Sequence, residues 1–481
     1  MNAAATGAAK AINLPCYVAG QPVRSEAKLQ VHDPYTGTLA GTVSMASAAE
    51  LNTAIEAARV GGEPLTRHER AAILEKAGEL LKQRAGEFAN LIRSESGLCI
   101  LDTTYEAARA RDVLRFAAIE ALQDDGRIYS CDVSPNGKAR KIFTTREPVR
   151  LVAAITPFNH PWNQVVHKVA PAVAAGAPMI LKPSEKTPLT AIRFAELLYE
   201  AGLPGWMLSV IVGPIDEVVE PMITDDRTEL VSFTGSVAVG KHIASIAGYK
   251  KLCLELGGNS PLIVLEDADL DLAVHLAAEG CYRNSGQRCT SVKRLLVQES
   301  ILNDFTQRFV ERSRQYTCGD PSDPQTRVGT VIDEAAAVVL ETRIRQAEAA
   351  GAKVLLGGGR RGSLLEPTVL ADVPRNAEMV ERESFGPLAP ILKVRDLDDA
   401  IDLANATDYG LSSGIVTASL DAAIRAIKAI RTGTVNVNEL PGYRLEFSPF
   451  GGVKDSGLGI KEGVVEAMKF MTNVKTFSLP W

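Results

Sequence analysis

Of the seven cysteines in the chain, Cys289 has the neighbours of a reactive thiol. It lies in Gly286-Gln287-Arg288-Cys289-Thr290, within a polar stretch that follows an apolar helical run over 270–280. A nucleophilic thiol must be reachable, held by tight backbone, and near positive charge or helix-end amides that favour the thiolate. Arg288 is a neighbouring cation. A buried structural cysteine is the competing reading, but Gly, Gln, Arg and Thr are poor core residues. Glu255 closes the apolar strand Leu252-Cys253-Leu254 and precedes Gly257-Gly258. Burial would raise its pKa and suit it to act as a base toward water; a solvent-facing charge at a strand end is the alternative. Asn159 sits in a proline-stiffened turn, Thr156-Pro157-Phe158-Asn159-His160-Pro161. A rigid amide there can donate to a developing oxyanion, or be an ordinary turn asparagine. Lys182 and Glu185 follow another strand and could grip sugar hydroxyls, or form an exposed loop pair.

Two glycine-rich stretches imitate nucleotide-binding loops. Gly357-Gly358-Gly359-Arg360-Arg361-Gly362 has the G-x-G-x-x-G spacing, but Ser-Leu-Leu-Glu-Pro follows, so no helix N-terminus is expected to receive a phosphate. Thr234-Gly235 through Gly240-Lys241-His242 comes nearer to a P-loop. His242 stands where a magnesium-binding hydroxyl is needed, which leaves a P-loop-like NTPase as a remote alternative. A helix starting after Gly235-Ser236 can still bind a pyrophosphate without metal.

The elements that must position these residues follow from periodicity. Short strands with Gly/Pro/Asn punctuation are expected over 17–44, and helices over 51–60, 66–93 and 103–122, the first behind a Ser47…Glu50 capping box. Residues 127–148 alternate around Pro135-Asn136-Gly137 and predict a hairpin, which needs another sheet to be stable. Beyond 149, strands at 150–155, 179–181, 207–212 and 230–233 alternate with helices at 166–175 and 188–201. A second such unit has strands at 261–265, 294–297 and 353–356 and helices at 335–350, 400–406 and 420–430. This rhythm gives an α/β class with mostly parallel sheets and ligands beyond the carboxyl ends of strands. The terminal stretch 472–479 alternates as a strand that could pair with the hairpin. At 481 residues the chain is too long for a single core. A net charge of −6 without a basic stripe argues against nucleic acid or an anionic membrane as main partner. No apolar run approaches the length of a spanning helix. The odd, scattered cysteines without CxxC argue against a disulfide framework or a zinc site, and reduced thiols fit a cytoplasmic protein. Residues 1–12 read as a disordered tail without a signal peptide.

In this order, Thr156-Pro-Phe-Asn159, Leu181-Lys-Pro-Ser-Glu185, Phe233-Thr-Gly-Ser236 with Gly240, Leu254-Glu-Leu-Gly-Gly258, Gly286-Gln-Arg-Cys289, Glu383-Ser-Phe385 and Pro449-Phe-Gly-Gly452 resemble the aldehyde dehydrogenase superfamily over nearly the whole chain. The resemblance implies two Rossmann-like parallel-sheet domains plus a small oligomerisation β-sheet. It implies an NAD-binding domain over 1–126 and 149–254, a catalytic domain over 255–440, and an oligomerisation hairpin and strand over 127–148 and 465–481. It makes Cys289 the nucleophile, Asn159 the oxyanion donor and Glu255 the base that releases the acid, and counts Lys182 with the catalytic group. NAD would be held by Thr156, Pro157, Phe158, Lys182, Ser184, Glu185, Gly213, Phe233, Thr234, Gly235, Ser236, Gly240, Leu256, Gly257, Glu383 and Phe385, with no metal. The acid at 185 would favour NAD over NADP by repelling a 2′-phosphate. A homodimer or homotetramer is implied.

The substrate is read from the cations. Arg109, His160, Arg288 and Arg444, with Thr290, could line a tunnel for an anionic aldehyde held by charge-assisted bonds. Each arginine alone could equally cap a helix or meet solvent. The run from Pro441 to Gly459 and the ending Phe-Ser-Leu-Pro-Trp481 resemble phosphonoacetaldehyde dehydrogenases, whose corresponding residues bind the phosphonate. The expected reaction is NAD-dependent oxidation of phosphonoacetaldehyde to phosphonoacetate. Lactaldehyde, sulfoacetaldehyde, succinate semialdehyde and glyceraldehyde 3-phosphate are the alternatives.

Overall fold

A computed structural model describes residues 11–459 and 462–481. Two seven-stranded sheets form the body. The first runs, in spatial order, Lys251–Glu255, Leu230–Thr234, Val152–Ile155, Met179–Lys182, Leu208–Val210, Cys16–Val18 and Gln21–Val23. Its pairings are parallel except at the edge formed by the last two strands. Val152–Ile155, Met179–Lys182 and Leu230–Thr234 are buried at every position. Strands covered on both faces read as continuous apolar runs rather than alternating ones. The register sets Ile155 beside Lys182 and Phe233, and Thr234 beside Glu255. The loops that carry Asn159, Glu185, Ser236 and Gly257 therefore leave one edge together.

The second sheet runs Lys353–Leu356, Thr368–Ala371, Leu388–Val394, Val292–Gln298, Ser260–Val264, Ser412–Val416 and Thr434–Val437. Four of these strands, at 368–371, 388–394, 412–416 and 434–437, go beyond the sequence reading. Leu388–Val394 contains Pro390, and Ser412–Val416 opens Ser-Ser-Gly, so neither looks like an apolar strand. The sheet around them imposes the conformation.

Two other expectations need correction, and one is refined. The helix over 66–93 is two helices, Arg67–Gln83 and Ala85–Ser96. Arg84 breaks the run: its guanidinium is held by Glu200 at 2.8 and 2.7 Å, and Gly86 weakens continuation. The hairpin forms as read, with Ile128–Ser130 antiparallel to Arg140–Pro148 and the turn at Pro135-Asn136-Gly137, though the connection is long. Residues 131–139 intervene, and Gly137 N–H closes a turn onto the Ser134 carbonyl at 2.8 Å within that loop. The tail expected over 1–12 falls mostly outside the described residues, and Ile12 already begins a strand parallel to Leu39–Ser44. The Ser47 capping box forms as read, and a second one, Thr66 with Glu69, opens the next helix. The strand Thr472–Pro480 pairs antiparallel along all of Arg140–Pro148, where Phe143 stacks on Phe477 at 5.3 Å. No helix leads out of Gly357–Gly362; a two-residue strand, Arg360–Arg361, occupies it.

Candidate active site

The thiol loop follows the helix Leu270–Tyr282. Asn284 and Ser285 have φ of 59° and 53°, and Gly286 has 69°. A Cβ on Gly286 would overlap the Gly386 carbonyl, so only glycine fits there. Three neighbours hold this unusual backbone. Asp102 accepts from Asn284 N–H at 2.8 Å, the Asn159 carbonyl accepts from Asn284 Nδ2 at 2.8 Å, and Lys293 Nζ donates to the Gly286 carbonyl at 2.6 Å. Residues in left-handed backbone persist where the surroundings over-determine them, which is common at reactive sites.

Asn159 donates Nδ2 to the Gln287 carbonyl at 2.8 Å and is buried. One of its two amide hydrogens is thereby fixed, and the amide is oriented beside the thiol loop. Cys289, Asn159 and Glu255 line one cavity of about 270 Å³, together with Phe158, Gln164, Thr234, Gly235, Ser236, Gly257, Glu383 and Phe385. Three distant segments of chain thus meet at one place. Burial pushes the Glu255 carboxyl up to about 8, helped by the nearby Glu462 carboxylate; Cys289, Arg444 and Lys168 act the other way. Neither Glu255 oxygen has a well-formed hydrogen bond within the chain, yet the Cys289 thiol lies near enough to act on it. The thiol itself is held well above its usual value, by burial first and by Glu255 second. The expectation that Arg288 favours the resting thiolate does not hold. The Arg288 guanidinium turns back to the carbonyls of Glu279 and Gly280, at 3.0 and 3.1 Å. The cation that most opposes the shift at Cys289 is Arg444, and Arg288 and Lys293 also interact with the Cys289 charge.

The same cavity suits a nicotinamide dinucleotide. The helix Val237–Ile246 begins at its wall, with Ser236 as N-cap, and such an end attracts a pyrophosphate. Thr156 Oγ1 and Thr234 Oγ1 are buried without a hydrogen-bond partner. A Cβ on Gly257 would overlap the Glu383 carboxylate, so glycine there lets Glu383 lie against the backbone at the cavity wall. Glu383 accepts from Gly258 N–H at 3.1 Å, and burial raises its pKa while Lys293 opposes the rise. Lys182 pairs with Glu185, and neither lines the cavity of the thiol, so the structure does not bring Lys182 to the chemistry. Phe233, Gly240 and Gly213 pack rather than line: a Cβ on Gly235 would strike Phe233, one on Gly240 would strike Leu256, and one on Gly213 would strike Val218. The P-loop-like stretch is turned elsewhere, with Lys241 on Asp455 at 2.6 Å and His242 on Glu220 at 2.8 Å.

The four expected cations do not converge as equals. Arg109, His160 and Arg288 line a small space of about 20 Å³ with Asp102, Tyr105, Glu106 and an unforeseen Arg283. Arg109 is already paired with Glu446. His160 Nδ1 is 3.5 Å from Glu106, whose other oxygen caps the helix Asn163–Ala175 through Trp162 and Asn163 N–H at 2.8 and 2.9 Å. Arg283 lies 4.2 Å over the Tyr105 ring and 3.5 Å from Asp102. Arg444 differs. It lies 4.0 Å over the Phe450 ring, and among the described residues it makes no hydrogen bond or close ion pair, although the Glu446 carboxylate acts on it through space. Its charge is felt at both Cys289 and Glu255. Thr290 packs against the backbone of Gly442, so close that a Cβ there would overlap its hydroxyl.

Several polar groups here went unread in the sequence. His167 and Lys168 interrupt an otherwise apolar helix, which was the available signal. Lys168 is buried and pairs with Glu462 at 2.9 Å, while His167 Nε2 meets Glu446 at 2.5 Å. Glu446 and Glu462 gave no signal, because only the fold brings their loop back to this helix.

A family model described as the aldehyde dehydrogenase family matches residues 22–477. The 3-sulfolactaldehyde dehydrogenase of Priestia megaterium is 38% identical over 464 residues, covering 96% of this chain and 97% of that protein. The crystal structure of aldehyde dehydrogenase 21 from Physcomitrella patens, in complex with the reaction product succinate, superposes with a TM-score of 0.95 at 35% identity, covering 98% of this chain and 99% of that one. The NADP-dependent glyceraldehyde-3-phosphate dehydrogenase of Bacillus halodurans, complexed with NADP, gives 0.94 at 33% identity, covering 97% and 99%. The chain belongs to the aldehyde dehydrogenase family: it is an oxidoreductase that uses NAD(P), and not a P-loop NTPase.

Proposed function

Starting from an aldehyde dehydrogenase, we propose that the substrate is a short anionic aldehyde, phosphonoacetaldehyde, oxidised to phosphonoacetate with NAD. The observation that carries this reading is Arg444, a guanidinium without an ion-pair partner among the described residues, whose charge reaches the thiol. Arg444 is partly buried and holds no ion pair of its own, so it is placed to meet an incoming anion, and guanidinium forks match phosphonate and carboxylate oxygens. Relatives named for sulfolactaldehyde and a structure holding succinate support an anionic substrate class. The exposed Glu185 beside Lys182 favours an unphosphorylated ribose.

In this reading Glu255 takes the Cys289 proton as sulfur bonds the aldehyde carbon. The oxyanion is met by Asn159 Nδ2 and the Cys289 N–H. Bound NAD supplies the hydride acceptor; Ser236 with Gly235 would hold its pyrophosphate, and Glu383 with Phe385 its nicotinamide end. With its hydride passed on, the thiohemiacetal carbon becomes a thioester carbonyl; Glu255 releases the Cys289 proton to solvent and then draws a proton from water as the water oxygen attacks that carbon. The carbon–sulfur bond breaks, Cys289 recovers a proton, and the acid leaves. Cofactor binding is assigned to 1–126 and 149–254, the thiol to 255–440, and subunit contact to 127–148 with 465–481 in a cytoplasmic homodimer or homotetramer. The test is kcat/KM for phosphonoacetaldehyde, sulfoacetaldehyde, succinate semialdehyde, glyceraldehyde 3-phosphate, lactaldehyde and propanal with each cofactor. Phosphonoacetaldehyde with NAD should lead. A lead for lactaldehyde or propanal would overturn the anion pocket.

A further inference from the structure

Glu446 lies two residues beyond Arg444 on the loop that passes beside Thr290, and its carboxylate is doubly engaged. One oxygen meets Arg109 of the helix Ile100–Ala121, and the other accepts from His167 Nε2 of the helix Asn163–Ala175. The residue is buried. Next to it, Phe447 packs edge-on against Phe116 at 5.0 Å. At the other end of the same loop, the Gly442 backbone abuts Thr290 beside the thiol. Between these two anchors the chain has no regular structure, and Tyr443 and Leu445 face outward. Arg444 is thus carried by a loop whose position rests on what its ends grip.

We propose that Glu446 is a positioning residue for the substrate anion: it clamps the Arg444 loop onto two helices and engages Arg109 itself. Arg444 is left as the guanidinium that meets the substrate. The inference rests on the anionic-substrate reading and sharpens it, because it divides the expected cations into one that binds and one that holds. Arg109 then acts through Glu446 rather than on the substrate.

The sign of the effect separates this role from simple charge neutralisation. Glu446→Gln removes a negative charge close to the site. If that charge only opposed the substrate, KM for an anionic aldehyde would fall. If Glu446 positions Arg444, KM for phosphonoacetaldehyde should rise about tenfold more than KM for propanal. Paired with Arg444→Ala, the change should add little, since both act through one contact. Should Glu446→Gln fold poorly, Arg109→Met loosens the same clamp from the other side and should give the same selective, non-additive rise. Full-length purified enzyme with NAD serves throughout. A fall in KM, an equal effect on both aldehydes, or full additivity with Arg444→Ala would overturn the inference. The wild-type preference between the two aldehydes reads the substrate class separately. A wild type that favours propanal sinks that reading, whereas an unselective Glu446 effect sinks only the clamp.

Discussion

Two buried carboxylates of this region, Glu255 and Glu446, behave in opposite ways. Glu255, on the cofactor side, has no well-formed hydrogen bond, and burial pushes it up to about 8. Burial would raise Glu446 as well, but His167 and Arg109 outweigh it and hold that carboxyl well below the usual range. The residue type and the burial are alike; the partners differ. A buried carboxylate without partners is kept available to take a proton, while one with two cations is a fixed anchor. The contrast teaches that reactivity in this site is set by what is withheld from a group as much as by what surrounds it.

The largest effect that would break the contrast is at the thiol. Cys289→Ser should lower kcat by at least ~10³-fold while cofactor titration by fluorescence stays close to wild type. Retained turnover would remove Cys289 from the reaction. Next is Glu255→Gln, expected to cost ~10²–10⁴-fold in kcat. Because the base must be deprotonated, wild-type kcat should rise with pH below about 8 and level off above it. A flat profile between pH 6 and 9, or the same limb retained in Glu255→Gln, would assign the base elsewhere. Arg444→Ala comes third, with a rise of about 10–100-fold in KM for the anionic aldehyde; Arg109→Lys, which keeps the charge next to Glu446, should change it far less. Equal losses would return Arg109 to the substrate.

The smallest effect is on stability. A carboxyl raised in the folded state contributes stability at low pH and loses it as pH rises from the unfolded value toward about 8. At neutral pH, Glu255→Gln should therefore stabilise the protein by on the order of 1–3 kcal/mol, less at pH 5. Denaturation midpoints at the two pH values check this, and an equal or reversed difference would contradict the raised carboxyl.

How far the sequence reached depends on where each signal lies. Cys289, Asn159 and Glu255 were legible because local chemistry marks them: poor core neighbours around a thiol, prolines around an amide, glycines after an acid. Most strands of the first sheet were legible because double burial writes continuous apolar runs. The strands at 388–394 and 412–416 were not, since Pro390 and Ser412-Ser413-Gly414 are made strand-like only by their sheet neighbours. The cations illustrate the limit best. Charge at 109, 160, 288 and 444 could be read, but not its partners. Glu446 and Glu106 lie in other segments, Arg288 turns to main-chain carbonyls of the preceding helix, and only folding decides which guanidinium lacks a close ion pair.

The most direct test of the chemistry is acid quenching of the wild-type enzyme within one turnover of phosphonoacetaldehyde and NAD, followed by peptide mass spectrometry. The account predicts a phosphonoacetyl thioester on the peptide containing Cys289 and on no other cysteine. An unmodified Cys289 peptide, or an acyl group found on a different residue, would contradict it.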